Sequence, residues 1–330
     1  MRSSTFKGAV SNNTVFKNTG LRRAGVLILG AVLSMSLAAC GTTDTGDSAS
    51  GAGSGDGASK SSTDGFDTSA IAKDEKIAAL LPESVTKDGT LTVGADTSYA
   101  PAEFLAADGK TPVGFDVDLS KALAAVFGLK EGTVTSSFDS IIPSVGSKYD
   151  IGISSFTVTP ERMKAVDFVT YFNAGSTFVV KKGNPAKVDT SSLCGVKIAV
   201  QTGTTQEDEA NKAEVQCKAD GKPNVQIQSM KAQTDVTTAV VTGKADVFYA
   251  DTPVAGYAIK QTGNALEALG DDVGIAPEAV AIKKGDTATA NAVQQALQKL
   301  IDDGTYGKIL DTWGVSKGAV TKAEINPTVE

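Results

Sequence analysis

Four short runs that read as strands end in residues suited to binding rather than to packing. Leu91-Thr92-Val93-Gly94 leads to Asp96 and Tyr99, and Asp150-Ile151-Gly152-Ile153 leads to Ser154, Ser155 and Thr157. Val196 to Val200 leads to Thr204 and Thr205, and Ala245 to Tyr249 leads to Asp251. In open α/β sheets a ligand sits beyond the carboxyl ends of the strands, so these hydroxyls and carboxylates gather along one edge. Arg162 stands in the first turn of a helix, one short loop beyond the serines, where a guanidinium can take a carboxylate through two parallel bonds. Gly203-Thr204-Thr205 opens another helix, whose free N–H groups and positive dipole end also favour an anion. Taken singly these residues have ordinary readings: Asp251 can cap a helix, Ser154 can satisfy backbone in a turn, and Arg162 can pair with Glu161 or Asp167. Together, a carboxylate-seeking cluster and one ammonium-seeking acid describe a receptor for a zwitterion, which points to a free amino acid.

Composition narrows the alternatives. The 330-residue chain has no histidine, which removes Ser-His-Asp and Cys-His catalysis, histidine metal sites and imidazole proton shuttling. Its 41% hydrophobic and 21% charged residues are those of ordinary globular material long enough for about two domains. The net charge is -7, and the first 39 residues hold five basic residues (Arg2, Lys7, Lys17, Arg22, Arg23) and no acid, so the remainder carries 26 basic against 38 acidic residues. Such an acidic body argues against nucleic acid as a partner.

The elements that position the candidate residues alternate short apolar strands with helical patterns from Phe66 onward, the mark of an α/β fold with largely parallel strands. Phe115, Leu119, Ala122, Leu123 and Val126 recur at helical spacing. Ser137 is placed to cap a helix bearing Ile141, Ile142 and Val145, with Pro143 removing one backbone donor. Thr159-Pro160-Glu161 supplies a cap, a proline at the first helical position and an acid in the first turn. Helices are also expected over Gln206 to Val215, Val236 to Val241 and Ala288 to Ile301, and from Thr305 to Trp313 with Gly314 as the stop. The single tryptophan, Trp313, reads as a packing anchor.

The amino terminus has a different character. Gly25 to Leu37 is 13 uncharged residues preceded by Leu21-Arg22-Arg23 and followed by Ala38-Ala39-Cys40. This is shorter than the roughly 20 apolar residues of a membrane span and fits a secretory signal over residues 1–39. Gly41 to Gly65 contains only Gly, Ser, Thr, Asp, Ala and one Lys; it cannot bury enough surface to offset its ordering and reads as a flexible tether, residues 40–65. Cys194 and Cys217 can form one disulfide in an exported protein or remain two buried thiols.

Leu37-Ala38-Ala39-Cys40 resembles the lipobox of bacterial lipoproteins, which implies lipidation of Cys40. The body resembles the amino-acid-binding proteins that serve ABC importers. The resemblance rests on Gly89-Thr90-Leu91-Thr92-Val93-Gly94, Tyr99-Ala100-Pro101, Gly114-Phe115-Asp116-Val117-Asp118-Leu119, Phe138-Asp139-Ser140-Ile141-Ile142-Pro143, Ser154 through Arg162, and Val200-Gln201-Thr202-Gly203-Thr204-Thr205-Gln206. Gly243-Lys244-Ala245-Asp246 with Asp251, and Asp303-Gly304-Thr305-Tyr306, continue it to residue 314. It implies a two-lobed periplasmic-binding-protein type II fold, two parallel-type sheets joined by two crossing segments, with residues 66–176 plus 279–330 as lobe 1 and 177–278 as lobe 2. In similar proteins the ligand carboxylate is held by Arg162 and the backbone near Thr205, the ammonium by Asp251 and Thr157 with the Ser154 region, and the side chain lies between Tyr99 and Phe138.

The reading that follows is an extracytoplasmic, lipid-anchored monomer that hands a polar or basic amino acid to an ABC permease, with no cofactor, no metal and no catalytic residue. Asp96 disfavours an acidic ligand side chain, because like charges in a partly desolvated cleft repel. A ligand-sensing lipoprotein and a dehydratase-like enzyme on the same fold are the competing readings.

Overall fold

The computed structural model describes residues 65–329. The signal segment, Cys40 and nearly all of the tether lie outside the described residues. In chain order the elements are α1 (Glu75–Ala78), α2 (Glu83–Thr86), β1 (Thr90–Ala95), β2 (Ser98–Tyr99), β3 (Glu103–Leu105), β4 (Pro112–Val113), α3 (Phe115–Phe127), β5 (Lys130–Thr135), α4 (Phe138–Ile141), β6 (Ile151–Thr157) and α5 (Arg162–Ala165). They continue with β7 (Val166–Lys181), β8 (Lys197–Gln201), α6 (Thr205–Ala219), β9 (Gln226–Met230), α7 (Gln233–Thr242), β10 (Val247–Asp251), α8 (Thr252–Gln261), β11 (Leu266–Lys283), α9 (Thr287–Asp302) and α10 (Thr305–Trp313).

Eight strands share one sheet in the order β5-β1-β6-β11-β7-β10-β8-β9, and β2-β3-β4 form a small separate sheet. At either end the strands are parallel, β5 with β1 and β6, and β10 with β8 and β9. The long β7 and β11 run antiparallel to each other through the middle and connect the two sets. The crossing segments are therefore strands of the sheet itself, each long enough to serve both halves. Their pairing slips between Leu269 and Val273, between Val273 and Ala276, and between Glu278 and Ala279. Among the described residues no helix is long and apolar enough to cross a membrane.

α3 shows why the sequence folds as it does. Eleven of its residues are buried, Asp116, Asp118 and Ser120 among them, because it packs under β1 and β6 with α9 and α10 at its flank. Its cap is Gly114 at φ 133, where an added Cβ would lie 2.0 Å from the Ala102 carbonyl oxygen, so only glycine fits. Gly128 in the left-handed region closes it and Gly314 closes α10 in the same way, each sending its N–H back to the last turn. The second half has its own core, in which Val180, Ile198, Val200, Val247 and Tyr249 meet the inner face of α6. Cys194 and Cys217 form a disulfide with Cα atoms 5.5 Å apart, fastening the entry to β8 onto α6. Trp313 packs edge-on against Phe104 and its Nε1 donates to Asp118 at 2.8 Å, the anchor expected of it.

Candidate functional site

Asp96, two residues before the small sheet begins, is almost fully buried and both its oxygens accept hydrogen bonds. Oδ1 takes the N–H and hydroxyl of Ser98 at 3.1 and 2.7 Å, and Oδ2 takes the Phe138 N–H and Gln201 Nε2, both at 2.9 Å. The cap of α4 therefore comes from a carboxylate 42 residues earlier; Ser137 stands at the cap position but its hydroxyl pairs with Ser140 instead. Gln201 belongs to β8, so this carboxylate bridges the two halves of the molecule. Burial raises its pKa, with the four donors acting in the opposite direction.

Tyr99 crosses in the same sense, donating from its hydroxyl to Asp251 Oδ2 at 2.7 Å. Asp251 ends β10 and also accepts from Gln206 Nε2 at 2.7 Å, while Gln206 reaches Ser176 of β7. Burial raises the Asp251 pKa, opposed by these two bonds and by the charge of Arg162. Arg162 begins α5, where Thr159 accepts its N–H through Oγ1 at 3.2 Å; the cap expected at Thr159 forms, although the helix starts at Arg162 rather than at Pro160. The guanidinium donates to the Thr157 carbonyl at 2.8 Å and, across the halves, to the Gly203 carbonyl at 3.0 Å. It also lies 5.3 Å from the centre of the Phe138 ring, which stacks on Phe156.

Thr204 caps α6, accepting the Glu207 N–H at 3.2 Å and donating to the Gln201 carbonyl at 2.7 Å. The Glu207 carboxylate turns back to accept the Gly203 N–H at 2.6 Å, close to the reciprocal arrangement of a capping box. One N–H of the anticipated anion cradle is thus occupied by the chain's own carboxylate. Thr205 lines a cavity of about 770 Å³ together with Thr157, Ser176 and Asp251. Further ties across the halves come from Lys231 paired with Asp139, and from the Gln233 N–H donating to Ser98 Oγ at 3.0 Å.

The two serines are placed differently from the rest. Ser154 is fully buried, accepts the Asp96 N–H at 3.1 Å and donates to Glu103 Oε1. Ser155, held at φ 47, gives its N–H to Asp116 Oδ2 at 2.9 Å. Both are bound to carboxylates beneath the cleft, which the strand-end pattern alone does not reveal. Glu103, Asp116 and Glu278 are buried there, and burial pushes Glu103 and Glu278 well above the usual carboxylate range and Asp116 up to about 6. The signal for them lies in residue type: glutamate at 103 sits in a two-sided apolar run, and Asp116 follows the glycine that only a close approach explains. Among the described residues no group of three or more His, Cys, Asp or Glu is arranged to hold a metal ion.

The site thus offers one guanidinium, carboxylates at Asp96 and Asp251 on opposite halves, and an aromatic surface at Phe138. Buried polar atoms without a partner include Gln201 Oε1, beside Asp96, and Gln233 Nε2. Such a set suits a small zwitterion with a polar end. Comparison with known proteins agrees. The arginine-binding protein ArgT of Corynebacterium glutamicum is 34% identical over 253 residues, covering 76% of this chain and 83% of its own. The L-cystine-binding protein TcyJ of Escherichia coli K12 is 30% identical over 239 residues, 71% of this chain and 85% of its own. The solved structure of an ancestral arginine-binding protein bound to arginine matches with a TM-score of 0.63 and 36% identity, over 68% of this chain and 98% of that one. Residues 91–316 match the model of one family, and the chain belongs to it: the bacterial extracellular solute-binding proteins, family 3.

Proposed function

We propose that this protein captures a free amino acid with a basic or polar uncharged side chain between its two halves and delivers it to an ABC importer. The observation that carries the reading is that Arg162 and Tyr99 reach across the halves to the Gly203 carbonyl and to Asp251, with the charge of Arg162 acting on Asp251, while Asp96 is bonded to Gln201, whose Oε1 has no partner. Arg162 and the start of α6 take the ligand carboxylate, Asp251 and the Thr157 region take the ammonium, and Phe138 with Tyr99 flanks the side chain. A cation or an amide at the far end satisfies the Gln201 oxygen and the Asp96 carboxylate, whereas an acidic side chain faces like charge in a dry site. The names of the compared proteins, two for arginine and one for cystine, support the same class of ligand.

The lobes of this reading are residues 66–176 plus 279–330 and residues 177–278, hinged where the β7–β11 pairing slips. Cys40 carries the lipid that keeps a monomeric receptor at the outer face of the cell membrane. A thermal-shift panel of the common amino acids tests the ligand, since a molecule that binds only the folded chain raises its melting temperature. Arginine, lysine or glutamine should raise it, and a shift confined to glutamate and aspartate would contradict the assignment. Cys40→Ser should abolish lipid labelling and membrane retention; unchanged labelling would remove the anchor from the account.

A further inference from the structure

Glu278 belongs to no part of the site read from the sequence, yet it is buried directly behind the cavity wall, following Pro277 and paired across the sheet with Thr157, both of which line the cavity. It sits in β11 where that strand passes between β6 and β7, opposite Thr157 on one side and Phe172 on the other. It is 2% exposed, and its Oε2 has no hydrogen-bond partner. A buried carboxylate oxygen without a donor is unfavourable unless the group is neutral or a cation completes it. The groups that act on it are Asp251 from β10, Asp116 from α3 and Arg162 from α5 through their charges and Ser155 from β6 through a hydrogen bond, with Tyr99 from β2 and Tyr171 from β7 also within reach of its charge. Three carboxylates and one guanidinium therefore act on one another here, and two of that guanidinium's five N–H donors go to the Thr157 and Gly203 carbonyls rather than to Glu278.

We propose that Glu278 is a second acidic residue of the ammonium subsite, protonated while the cleft is empty and ionised when the ammonium group of a ligand settles between it and Asp251. The inference rests on the amino-acid-binding reading above and adds to it a residue and a proton. On binding, the carboxyl O–H bond breaks, the proton passes to solvent, and the carboxylate accepts an N–H of the ligand. Burial, which already holds this carboxyl well above the usual range, keeps the proton in place beforehand. The bound state holds fewer protons than the free state, so affinity rises with pH between the two pKa values, by up to about tenfold per pH unit, and levels off above the higher one.

Calorimetric titration of the purified chain with L-arginine and with L-glutamine, each in phosphate and in Tris at the same neutral pH, counts the protons exchanged. Both ligands bring an α-ammonium, so both should release a fraction of a proton, up to one per ligand bound. Glu278→Gln keeps the size of the side chain and should bind without release and without the pH dependence. Asp116→Asn, which removes a carboxylate whose charge helps keep the proton on Glu278, should reduce the release without abolishing it. Binding by the parent chain with no proton exchange overturns the proposal without any variant, as does equal release from Glu278→Gln. Failure of both ligands to bind contradicts the underlying reading instead, and the thermal-shift panel registers that outcome separately.

Discussion

Replacing Asp251 by asparagine separates its role toward a ligand from its role in the fold. In the parent chain Oδ2 accepts the Tyr99 hydroxyl and Oδ1 accepts Gln206 Nε2, each at 2.7 Å. Asparagine keeps one acceptor for the glutamine amide, and its NH2 group meets a phenol oxygen that can turn from donor to acceptor. The fold therefore loses at most about one neutral hydrogen bond, roughly 1 kcal/mol. The ligand loses more. A hydrogen bond between an ammonium and a buried carboxylate contributes about 1.5 to 3 kcal/mol, so the dissociation constant for L-arginine should rise about 10- to 150-fold. Calorimetric titration gives the constant, and a thermal melt of the same sample shows whether the chain is folded. An unaltered constant in a folded Asp251→Asn protein refutes the assignment of the ammonium to this residue, whatever the ligand's identity.

Other outcomes follow from the same geometry. Reducing the Cys194–Cys217 disulfide, which spans a sequence separation of 23, should lower stability by about 3 kcal/mol in the chain-entropy model; urea unfolding with and without reductant measures this, and no change would mean the bridge holds nothing. Asp116 has its pKa raised from 3.8 to about 6 in the folded chain, so its contribution is present in full below about pH 4 and is lost as pH rises through about 6. Asp116→Asn should remove that component, on the order of 3 kcal/mol, from the difference in unfolding free energy between acidic and neutral pH; parallel pH profiles of parent and variant would exclude it. Lys231→Ala breaks a tie across the halves whose side chains are 62% and 33% exposed. It should weaken ligand binding by no more than about fivefold, less in high salt, and a larger loss would place Lys231 on the ligand itself.

Local signals were legible where sequence-near chemistry decides the structure. Gly314 ends α10 where expected, and Thr204 caps α6 through an interaction three residues long. The polar residues at the ends of β1, β6, β8 and β10 are legible for the same reason, since strand ends are marked by the change from apolar to polar types. What was not legible depends on partners far away in sequence. Ser154 and Ser155 look like ligand contacts until Glu103 and Asp116, 51 and 39 residues earlier, are seen to take them. The burial of Asp116 and Asp118 in the first turn of α3 has no local signal, because only the packing of α3 under the sheet produces it. The small β2-β3-β4 sheet has no sequence signal because strands of two or three residues carry no periodicity. The long β7 and β11 have none because each pairs with two different strands.

Asp96 shows how type and role can diverge. It reads as the acid that meets a ligand side chain, but four donors already surround it, one of them on the other half of the molecule. Its charge still acts on the cleft, and its bond to Gln201 helps hold the halves together.

The claim that this cleft takes a basic or polar amino acid and not an acidic one is tested most directly by titrating the purified chain with L-arginine and L-glutamate under identical conditions. The account predicts saturable binding of arginine at one per chain and a far weaker response to glutamate. Tighter binding of glutamate, or no binding of any amino acid by a folded protein, would contradict it.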